Sequence, residues 1–330
     1  MLTGALSISL RNMTELPESI VKLKHLRYLN LSSTAIKRLH DSICKLCNLQ
    51  TLNLSSCKHL AELPRDMWKL INLRHLDISG TAIKKMPLQL GRLRCLQTLT
   101  QFIISKHGGA CIEELGKLAN LRGKLSILEL QNVVSPTDAL KACLNDRKYL
   151  EELVLEWNTL RTKRSILENL QPHGNLKSLT IKNYGAESLP DWVGHHSFSN
   201  IASLRLENCK YCLSLPPLGQ LSSLQDLFVV GFERVVKVGH EFYGSNSSSV
   251  KPFGALKVLR FEQMLKWKEW SSFGVENEGG DFPQLEELYV DDCPKLRGGL
   301  PSIFLLYPNL RFINVRSWWF HSQGLLPYVN

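Results

Sequence analysis

Two pairs of cysteines have the spacing used by metal sites and redox centres. Cys44 and Cys47 form one C-x-x-C pair, and Cys209 and Cys212 form the other. Two such pairs supply four thiolates, which is enough to hold a zinc ion if the fold brings them together. The chemistry therefore depends on whether the architecture allows these distant segments to meet.

Two other neighbouring pairs could bind metal or transfer protons. His195 and His196 are adjacent, but no third ligand follows at H-E-x-x-H spacing, and we interpret them as part of a solvated loop. Asp291 and Asp292 are also adjacent, and neighbouring strand positions point to opposite faces, so they are poorly placed to share a proton. The sequence also lacks the G-x-S-x-G of hydrolases. We expect neither catalytic residues nor metal ligands, and hence no enzyme.

The element that must position these residues is a repeat of the form L-x-x-L-x-L. Leu29, Leu52 and Leu76 are equivalent in successive periods, with offsets of 23 and then 24 residues. Each period predicts one strand followed by a short return segment. One period cannot bury its own apolar face, so neighbouring periods must stack. The apolar positions of the period that shows the pattern best are Leu26, Leu29, Leu31, Ile36, Leu39, Ile43 and Leu46.

We therefore predict an α/β solenoid, a leucine-rich-repeat horseshoe with a parallel concave β-sheet and short helical or irregular convex returns. Solenoid repeats contact only their neighbours, so the two C-x-x-C pairs, about seven repeats apart, cannot form one zinc site. A small polar residue three positions after the second strand leucine is expected to satisfy backbone groups where the chain leaves the strand. That position is occupied by Thr34, Cys57, Thr81, Asn158, Cys209 and Cys293.

The domain organisation predicted is one leucine-rich-repeat domain over 1–330, with about a dozen irregular units. Residues 1–99 hold regular repeats of 23 to 24 residues, 100–150 an irregular insert with helices, and 151–330 longer, irregular repeats. Within the insert we expect helices over 111–121 and 136–146 around a strand over 125–130. Trp267 and Trp270 are expected in the core, and the Trp318–Trp319 pair is expected to cap the C-terminal end.

Composition limits the partners and the compartment. The net charge is +10, which suits an acidic protein surface, a nucleic acid or an anionic membrane. A nucleic acid is the least favoured of these, because no stripe of interleaved basic and aromatic residues is present. No apolar stretch is long enough to span a membrane, and no signal peptide is evident. The nine cysteines are odd in number and scattered, so we expect reduced thiols in the cytoplasm or nucleus and no secretion.

Several segments resemble the leucine-rich-repeat region of plant intracellular immune receptors, specifically the coiled-coil nucleotide-binding subclass. Single L-x-x-L-x-L units occur in many families, but the combination of an L-E-L-V-L-E-W-like segment, E-N-C-x-x-C-x-x-L-P-P-L-G-Q-L and C-P-K-L is much more specific. The resemblance covers nearly the whole chain. The segments that carry it are HLRYLNLSSTAIKRL (25–39), LQTLNLSSCKHLAELPRDMWKLINLRHLDISGT (49–81), LEELVLEWN (150–158), LQPHGNLKSLTIKNYG (170–185), FSNIASLRLENCKYCLSLPPLGQLSSLQDL (198–227) and FPQLEELYVDDCPKLRGGLP (282–301).

The resemblance implies a recognition module of a disease resistance protein. It would sense a pathogen effector or a modified host protein in the defence response, and it would restrain a nucleotide-binding switch. The full family binds ADP or ATP in a separate domain. Here no G-x-x-x-x-G-K-[ST] loop is present, so no cofactor is expected in this chain. The sequence begins inside a repeat, and we expect it to be a fragment that lacks the upstream nucleotide-binding domain.

The alternative is a stand-alone leucine-rich-repeat scaffold or inhibitor without immune signalling. The expected partners are proteins, namely a pathogen effector or host target and the nucleotide-binding domain of the same or a partner receptor. In either case, we expect the partner to contact the outward residues that flank the strand leucines. Tyrosine and arginine, the residue types that dominate binding hot spots, are frequent among them. The predicted concave protein-binding surface comprises Arg27, Tyr28, Asn30, Gln50, Asn53, Arg74, His75, Asp77, Lys177, Thr180, Lys182, Arg205, Glu207, Asp226, Phe228, Arg260, Glu262, Glu287, Tyr289, Arg311 and Asn314.

Overall fold

The computed structural model describes residues 4–8, 12–158, 164–244, 251–271, 281–296 and 310–313. The chain divides into two compact units. The first unit comprises 1–158 with 169–173, and the second comprises 159–168 with 174–330. The predictions for Asn314 and for Trp318–Trp319 fall outside the described residues. The prediction of one domain over 1–330 stays a prediction.

The first unit contains the regular repeats, and each contributes one short strand. The strands β1 to β5 form one parallel sheet, and β6, β7 and β8 pair in parallel with one another. In the first sheet Leu29 pairs with Leu52 and Leu52 with Leu76, and all three are fully buried. The predicted leucine ladder is therefore confirmed. The strands are β1 (Ala5–Ser7), β2 (Tyr28–Asn30), β3 (Thr51–Asn53), β4 (His75–Asp77), β5 (Thr98–Leu99), β6 (Gln101–Ile103), β7 (Gly123–Leu128) and β8 (Leu150–Glu156).

The return segments of the first unit are one or two helical turns. Most are 3₁₀ turns whose apolar residues point inward, as Ile43 does. The α-helices are α1 (Ile112–Gly116) and α2 (Pro136–Leu140). The 3₁₀ turns are Glu18–Lys22, Asp41–Lys45, Met67–Lys69, Leu90–Arg92, Leu130–Asn132 and Leu144–Asp146.

The predicted extents of the insert's elements are wrong. Helix α1 stops at Gly116, where an added Cβ would lie 1.9 Å from the carbonyl oxygen of Lys141, so the next repeat approaches the backbone there. The predicted helix over 136–146 is broken at Cys143, which has a left-handed φ of 50°. The strand predicted to reach residue 130 ends at Leu128, because Glu129 is also left-handed.

The second unit stacks longer repeats on the same plan. Its main sheet is parallel, and Leu204 pairs with Leu179 on one side and Leu227 on the other, all buried. Strands β12 and β14 pair separately, within the return segments. The elements are α3 (Arg164–Glu168), β9 (Ser178–Lys182), β10 (Ser203–Glu207), a 3₁₀ turn Leu218–Gln220, β11 (Asp226–Val230), β12 (Lys237–Val238), α4 (His240–Tyr243), β13 (Val258–Glu262), β14 (Glu269–Trp270), β15 (Glu287–Asp291) and β16 (Arg311–Ile313).

Aromatic side chains fill the interior of the second unit between its sheet and its returns. The Phe261 ring lies 4.9 Å from that of Trp267 and 5.3 Å from that of Trp270. The indole Nε1 of Trp270 donates a hydrogen bond of 3.0 Å to the Tyr243 hydroxyl, so the polar N–H of this buried ring has an acceptor. The core positions predicted for Trp267 and Trp270 are confirmed. The other members of this aromatic cluster are Phe242, Phe253 and Phe282.

The small polar position after each strand has the predicted backbone role in most repeats. Thr34 Oγ1 donates to the Leu31 carbonyl at 2.8 Å, and Thr81 Oγ1 donates in the same way to Ile78. Cys57, Cys209 and Cys293 are buried, and each thiol reaches a backbone carbonyl.

Asn158 is the exception, and the prediction for it is wrong. Its side chain is exposed and donates to Glu129 Oε1 at 2.7 Å. The neighbouring Trp157 is fully buried, and its indole occupies the interior instead.

Candidate functional site

The predicted surface residues of the first unit lie at or just before strands β2, β3 and β4. All have partly or fully exposed side chains that alternate with the buried leucines. They are Arg27, Tyr28, Asn30, Gln50, Asn53, Arg74, His75 and Asp77.

Those of the second unit lie at or just before β9, β10, β11, β13, β15 and β16, and they too are partly or fully exposed. We call the side of each sheet that carries these side chains its outward strand face. Asn314 lies outside the described residues. The others are Lys177, Thr180, Lys182, Arg205, Glu207, Asp226, Phe228, Arg260, Glu262, Glu287, Tyr289 and Arg311.

A row of alternating basic and aromatic side chains runs across the middle of the second unit's outward face, so the expectation that no such interleaved row is present is wrong. Arg205 pairs in register with Phe228, Phe228 with Arg260, and Arg260 with Tyr289. The Arg205 guanidinium lies 4.0 Å from the centre of the Phe228 ring, and that of Arg260 lies 4.9 Å from the centre of the Tyr289 ring. Both distances are those of cation–π contacts. We call these four residues the central row.

Carboxylates beside the central row hold its arginines in place. Glu207 accepts from Arg205 Nη1 at 3.0 Å and pairs with Lys182 Nζ at 2.9 Å. Arg260 makes the equivalent ion pair with Glu262. Burial alone would raise the pKa of Glu207, but hydrogen bonds from Lys182 and Arg205 outweigh it and lower the pKa below the ordinary value. The carboxylate is therefore ionised and engaged at neutral pH.

Tyr289 is fixed in a similar way. Its hydroxyl donates to Glu287 Oε2 at 2.9 Å, and Glu287 also pairs with Arg311. The hydrogen bond to Glu287 raises the pKa of Tyr289, so the phenol stays neutral. Burial raises the pKa of Asp226, and the nearby Lys257 only partly opposes this. The central row thus presents flat, oriented faces whose charges are already matched, an arrangement suited to contact with a protein.

The cysteines and histidines that could have carried chemistry are placed differently. All nine cysteines are free thiols, and burial raises the pKa of Cys44 to about 12. His195 and His196 are exposed, as predicted, and His195 Nδ1 lies 2.8 Å from Ser197 Oγ. Over the described ranges, no group of three or more His, Cys, Asp or Glu residues is arranged to hold a metal ion. Nor does any described helix have the length and apolarity needed to cross a membrane.

The described residues on the outward face of the first unit are largely polar and form no row of stacked arginines and rings. Asn30 Nδ2 donates to Ser7 Oγ at 3.2 Å, and His75 Nδ1 lies 3.0 Å from Thr98 Oγ1. Asp77 accepts from the hydroxyl of Thr100 at 3.1 Å. These bonds join neighbouring strands through their polar side chains.

A cavity of about 400 Å³ lies on the return side of the first unit. Trp68 forms part of its wall, and the guanidinium of Arg92 stacks 4.7 Å from the centre of the Trp68 indole. Arg65, Asp66 and Lys85 also line it. No sequence motif marks this cavity, because residues from successive repeats form it, with Gly108 contributing from a third.

Asparagines, also not predicted, support the turn before three strands of the first unit, β3, β4 and β7. Asn48 Nδ2 donates to the Lys24 carbonyl, Asn72 to Cys47 and Asn120 to Arg94, each at 2.8 Å. These asparagines follow the repeat period, so the periodicity itself was the signal that could have revealed them.

Comparison with known proteins gives consistent matches. The family model of R13L1/DRL21 leucine-rich repeats matches residues 112–232, and a general leucine-rich-repeat model matches 48–70. A disease-resistance-type protein of Arabidopsis thaliana is 45% identical over 90% of this chain and 22% of its own length. An RPP13-like disease resistance protein of the same plant is 41% identical, over 69% of this chain and 22% of its own. Disease resistance protein RGA2 of Solanum bulbocastanum is 35% identical, over 60% and 21%. The chain spans about a fifth of the length of these curated relatives.

Solved structures support the fold. A leucine-rich-repeat protein of Leptospira interrogans superposes with a TM-score of 0.53 at 20% identity, covering 92% of this chain and 81% of that one. An internalin of Listeria monocytogenes gives 0.53 at 16% identity, covering 80% and 72%. At these identities the likeness concerns the leucine-rich-repeat fold alone.

Proposed function

We propose that this chain, which belongs to the family of leucine-rich-repeat regions found in plant disease resistance proteins, is a recognition module of the plant defence response. The module binds a protein, either a pathogen effector or a host protein altered by one. It also restrains the nucleotide-binding switch of the receptor to which it belongs. It has no catalytic role of its own and holds no cofactor.

The central row is the single observation that carries the recognition half of this proposal. Arginine and tyrosine dominate protein-binding hot spots, and side chains that are already ordered lose less entropy when a partner binds. Stacking and ion pairing order Arg205 and Arg260 in this way. We assign the contact surface of the second unit to the central row and the carboxylates beside it.

The proposal assigns the module to the cytoplasm or nucleus. Nine cysteines that form no disulfide, five of them buried, suit a reducing compartment. The relatives named above are disease resistance proteins, and a cytoplasmic sensor would meet effectors after their delivery into the plant cell.

The test of recognition uses the full-length receptor that carries this chain, expressed in leaves together with the pathogen that triggers it. The variant Phe228→Ser/Tyr289→Ser should abolish triggered cell death while the protein accumulates normally. The matched control is Val236→Ser/Leu265→Ser, which changes two apolar residues of the same unit that are 45% and 38% exposed and lie outside the outward face. Equal loss of response in both variants would contradict the assignment to the central row.

The test of restraint removes this chain from the receptor. The truncated receptor should trigger cell death without a pathogen, because the switch is released. A truncated receptor no more active than the intact one would refute the regulatory half and leave the recognition half standing.

A further inference from the structure

The residue immediately before the strand forms a second row in the first unit. Its members come from five successive repeats and are joined by their backbones. The amide of each donates to the carbonyl of the one before, with N···O distances of 2.7 to 2.8 Å. They alternate in type, as Arg27, Gln50, Arg74, Gln97 and Arg122. We call them the arginine row.

The three arginines of this row have exposed side chains, and the two glutamines are partly exposed. Within the described part of the chain, no carboxylate lies within ion-pair distance of any of the three. Arg122 lies 6.0 Å from the centre of the Tyr149 ring, which is itself 60% exposed. The row therefore presents three charges that the first unit does not neutralise.

The alternation sets the distance between these charges. Neighbouring strands lie about 4.8 Å apart, so arginines on every second strand are separated by about 10 Å. Arginines on adjacent strands would repel one another, and the intervening glutamines avoid this. A polyproline II segment advances about 3.1 Å per residue with three residues per turn, so every third side chain recurs on one side at about 9 Å. The two spacings match.

We infer that the arginine row binds an extended, acidic segment of a partner protein, with carboxylates at every third residue. Guanidinium groups bind carboxylates through paired hydrogen bonds, which makes them suited to this partner. The chain's net charge of +10 would attract such a segment over a distance. A nucleic acid strand carries a charge about every 3.4 Å and would not be selected by this spacing. The inference rests on the proposed function only in that the partner is again a protein.

The test uses the full chain and a fluorescent peptide of repeated Glu-Pro-Pro, with binding followed by anisotropy at low salt. Arg27→Gln/Arg74→Gln/Arg122→Gln should weaken binding by about threefold or more, because three exposed ion pairs are lost. The matched control Arg65→Gln/Lys84→Gln/Arg234→Gln removes the same charge at other exposed positions. It should change binding less than about twofold.

Two further arms make the outcome decisive. A peptide of the same composition with its glutamates clustered should bind more weakly than the regular one; equal affinity would overturn the spacing argument. Arg27→Glu/Arg74→Glu/Arg122→Glu should no longer bind the acidic peptide and should instead bind a peptide of repeated Lys-Pro-Pro, which excludes misfolding as the cause of the loss.

Equal weakening by the control triple, or tighter binding of single-stranded DNA than of the peptide, would overturn the inference. Phe228→Ser/Tyr289→Ser should leave peptide binding unchanged, so failure here is distinct from failure of the proposed function.

Discussion

The two units use arginine in opposite ways on the same repeat plan. In the second unit, Arg205 and Arg260 lie within strands, stack on aromatic rings and pair with glutamates. In the first, Arg27, Arg74 and Arg122 lie one position before the strands and face no described carboxylate. A side chain ordered in advance favours specific, short-range contact, whereas an uncompensated charge favours attraction over distance.

The interiors of the two units also differ, in the type of apolar side chain that fills them. Leucine and isoleucine fill the first unit, with Leu29, Leu52 and Leu76 repeating from coil to coil. The second unit relies on an aromatic cluster around Phe261. Since Phe261 lies between Arg260 and Glu262 on β13, the aromatic interior supports the strand that presents the central row.

The largest expected effect comes from the interiors. Phe261→Ala should lower the free energy of unfolding of the second unit by about 3 to 5 kcal/mol, because it leaves a cavity among large rings. Leu52→Ala in the first unit should cost about 2 to 5 kcal/mol. Hydrogen exchange of each unit's strand amides, with urea unfolding of the whole chain, measures both.

The exposed Leu265→Ala is the control, with an expected change within about 0.5 kcal/mol. A loss below about 1 kcal/mol for Phe261→Ala would break the contrast between the two interiors.

The second prediction concerns the glycines that follow equivalent strands. Gly231 and Gly80 both have left-handed backbones, with φ of 72° and 68°. An added Cβ at Gly231 would lie 2.8 Å from Asn208 Oδ1, whereas at Gly80 the nearest atom is 3.4 Å away. Gly231→Ala should therefore destabilise by about 1 to 3 kcal/mol and Gly80→Ala by about 1 kcal/mol. Urea midpoints that reverse this order would show that the turns of the second unit are the looser ones.

The third prediction measures how strongly the central row is coupled. A double-mutant cycle with Arg205→Ala and Phe228→Ala should give a coupling free energy of about 0.5 to 1 kcal/mol. The matched cycle in the first unit, Arg74→Ala with Gln50→Ala, should give a value near zero, because those side chains make no described ion pair or stack. Equal coupling in the two cycles would remove the distinction between ordered and free arginines.

The smallest expected effect is on pH dependence. The folded pKa of Glu207 lies below its ordinary value of 4.5, so its contribution to stability is complete above that pH and is lost as the pH falls through the folded pKa. The variant Glu207→Gln should therefore lose less stability on acidification than the unchanged chain does, as measured by urea unfolding at a series of pH values.

Asp226 provides a control of opposite sign. Because its folded pKa is raised by burial, protonation favours the folded state, and its stability contribution grows as the pH falls through that pKa. Asp226→Asn should therefore stabilise the chain at neutral pH. If both substitutions change the pH profile in the same direction, the electrostatic description of this face is wrong.

Periodicity predicted a large part of the fold, since a leucine at every equivalent position has one low-energy arrangement, a stacked parallel ladder. It also placed the outward residues on the correct side of each strand, because side chains alternate along a strand. It failed where the period fails. Helix α1 is shorter than predicted, and the next repeat approaches its last residue, Gly116, closely; Asn158 faces outward, and the neighbouring Trp157 is buried. Such contacts join residues whose separation no local pattern encodes.

The sequence by itself therefore determined the repeat, the parallel strands and the set of side chains that face outward. Only the tertiary structure decided which of those side chains are paired with each other. Arg205 and Arg74 belong to the same chemical type and occupy outward positions three residues apart in the repeat. One meets a phenylalanine on the next strand and a glutamate on its own, and the other meets neither. Stacking and ion pairing depend on distances of a few ångström between repeats, and these are set by the register of the strands.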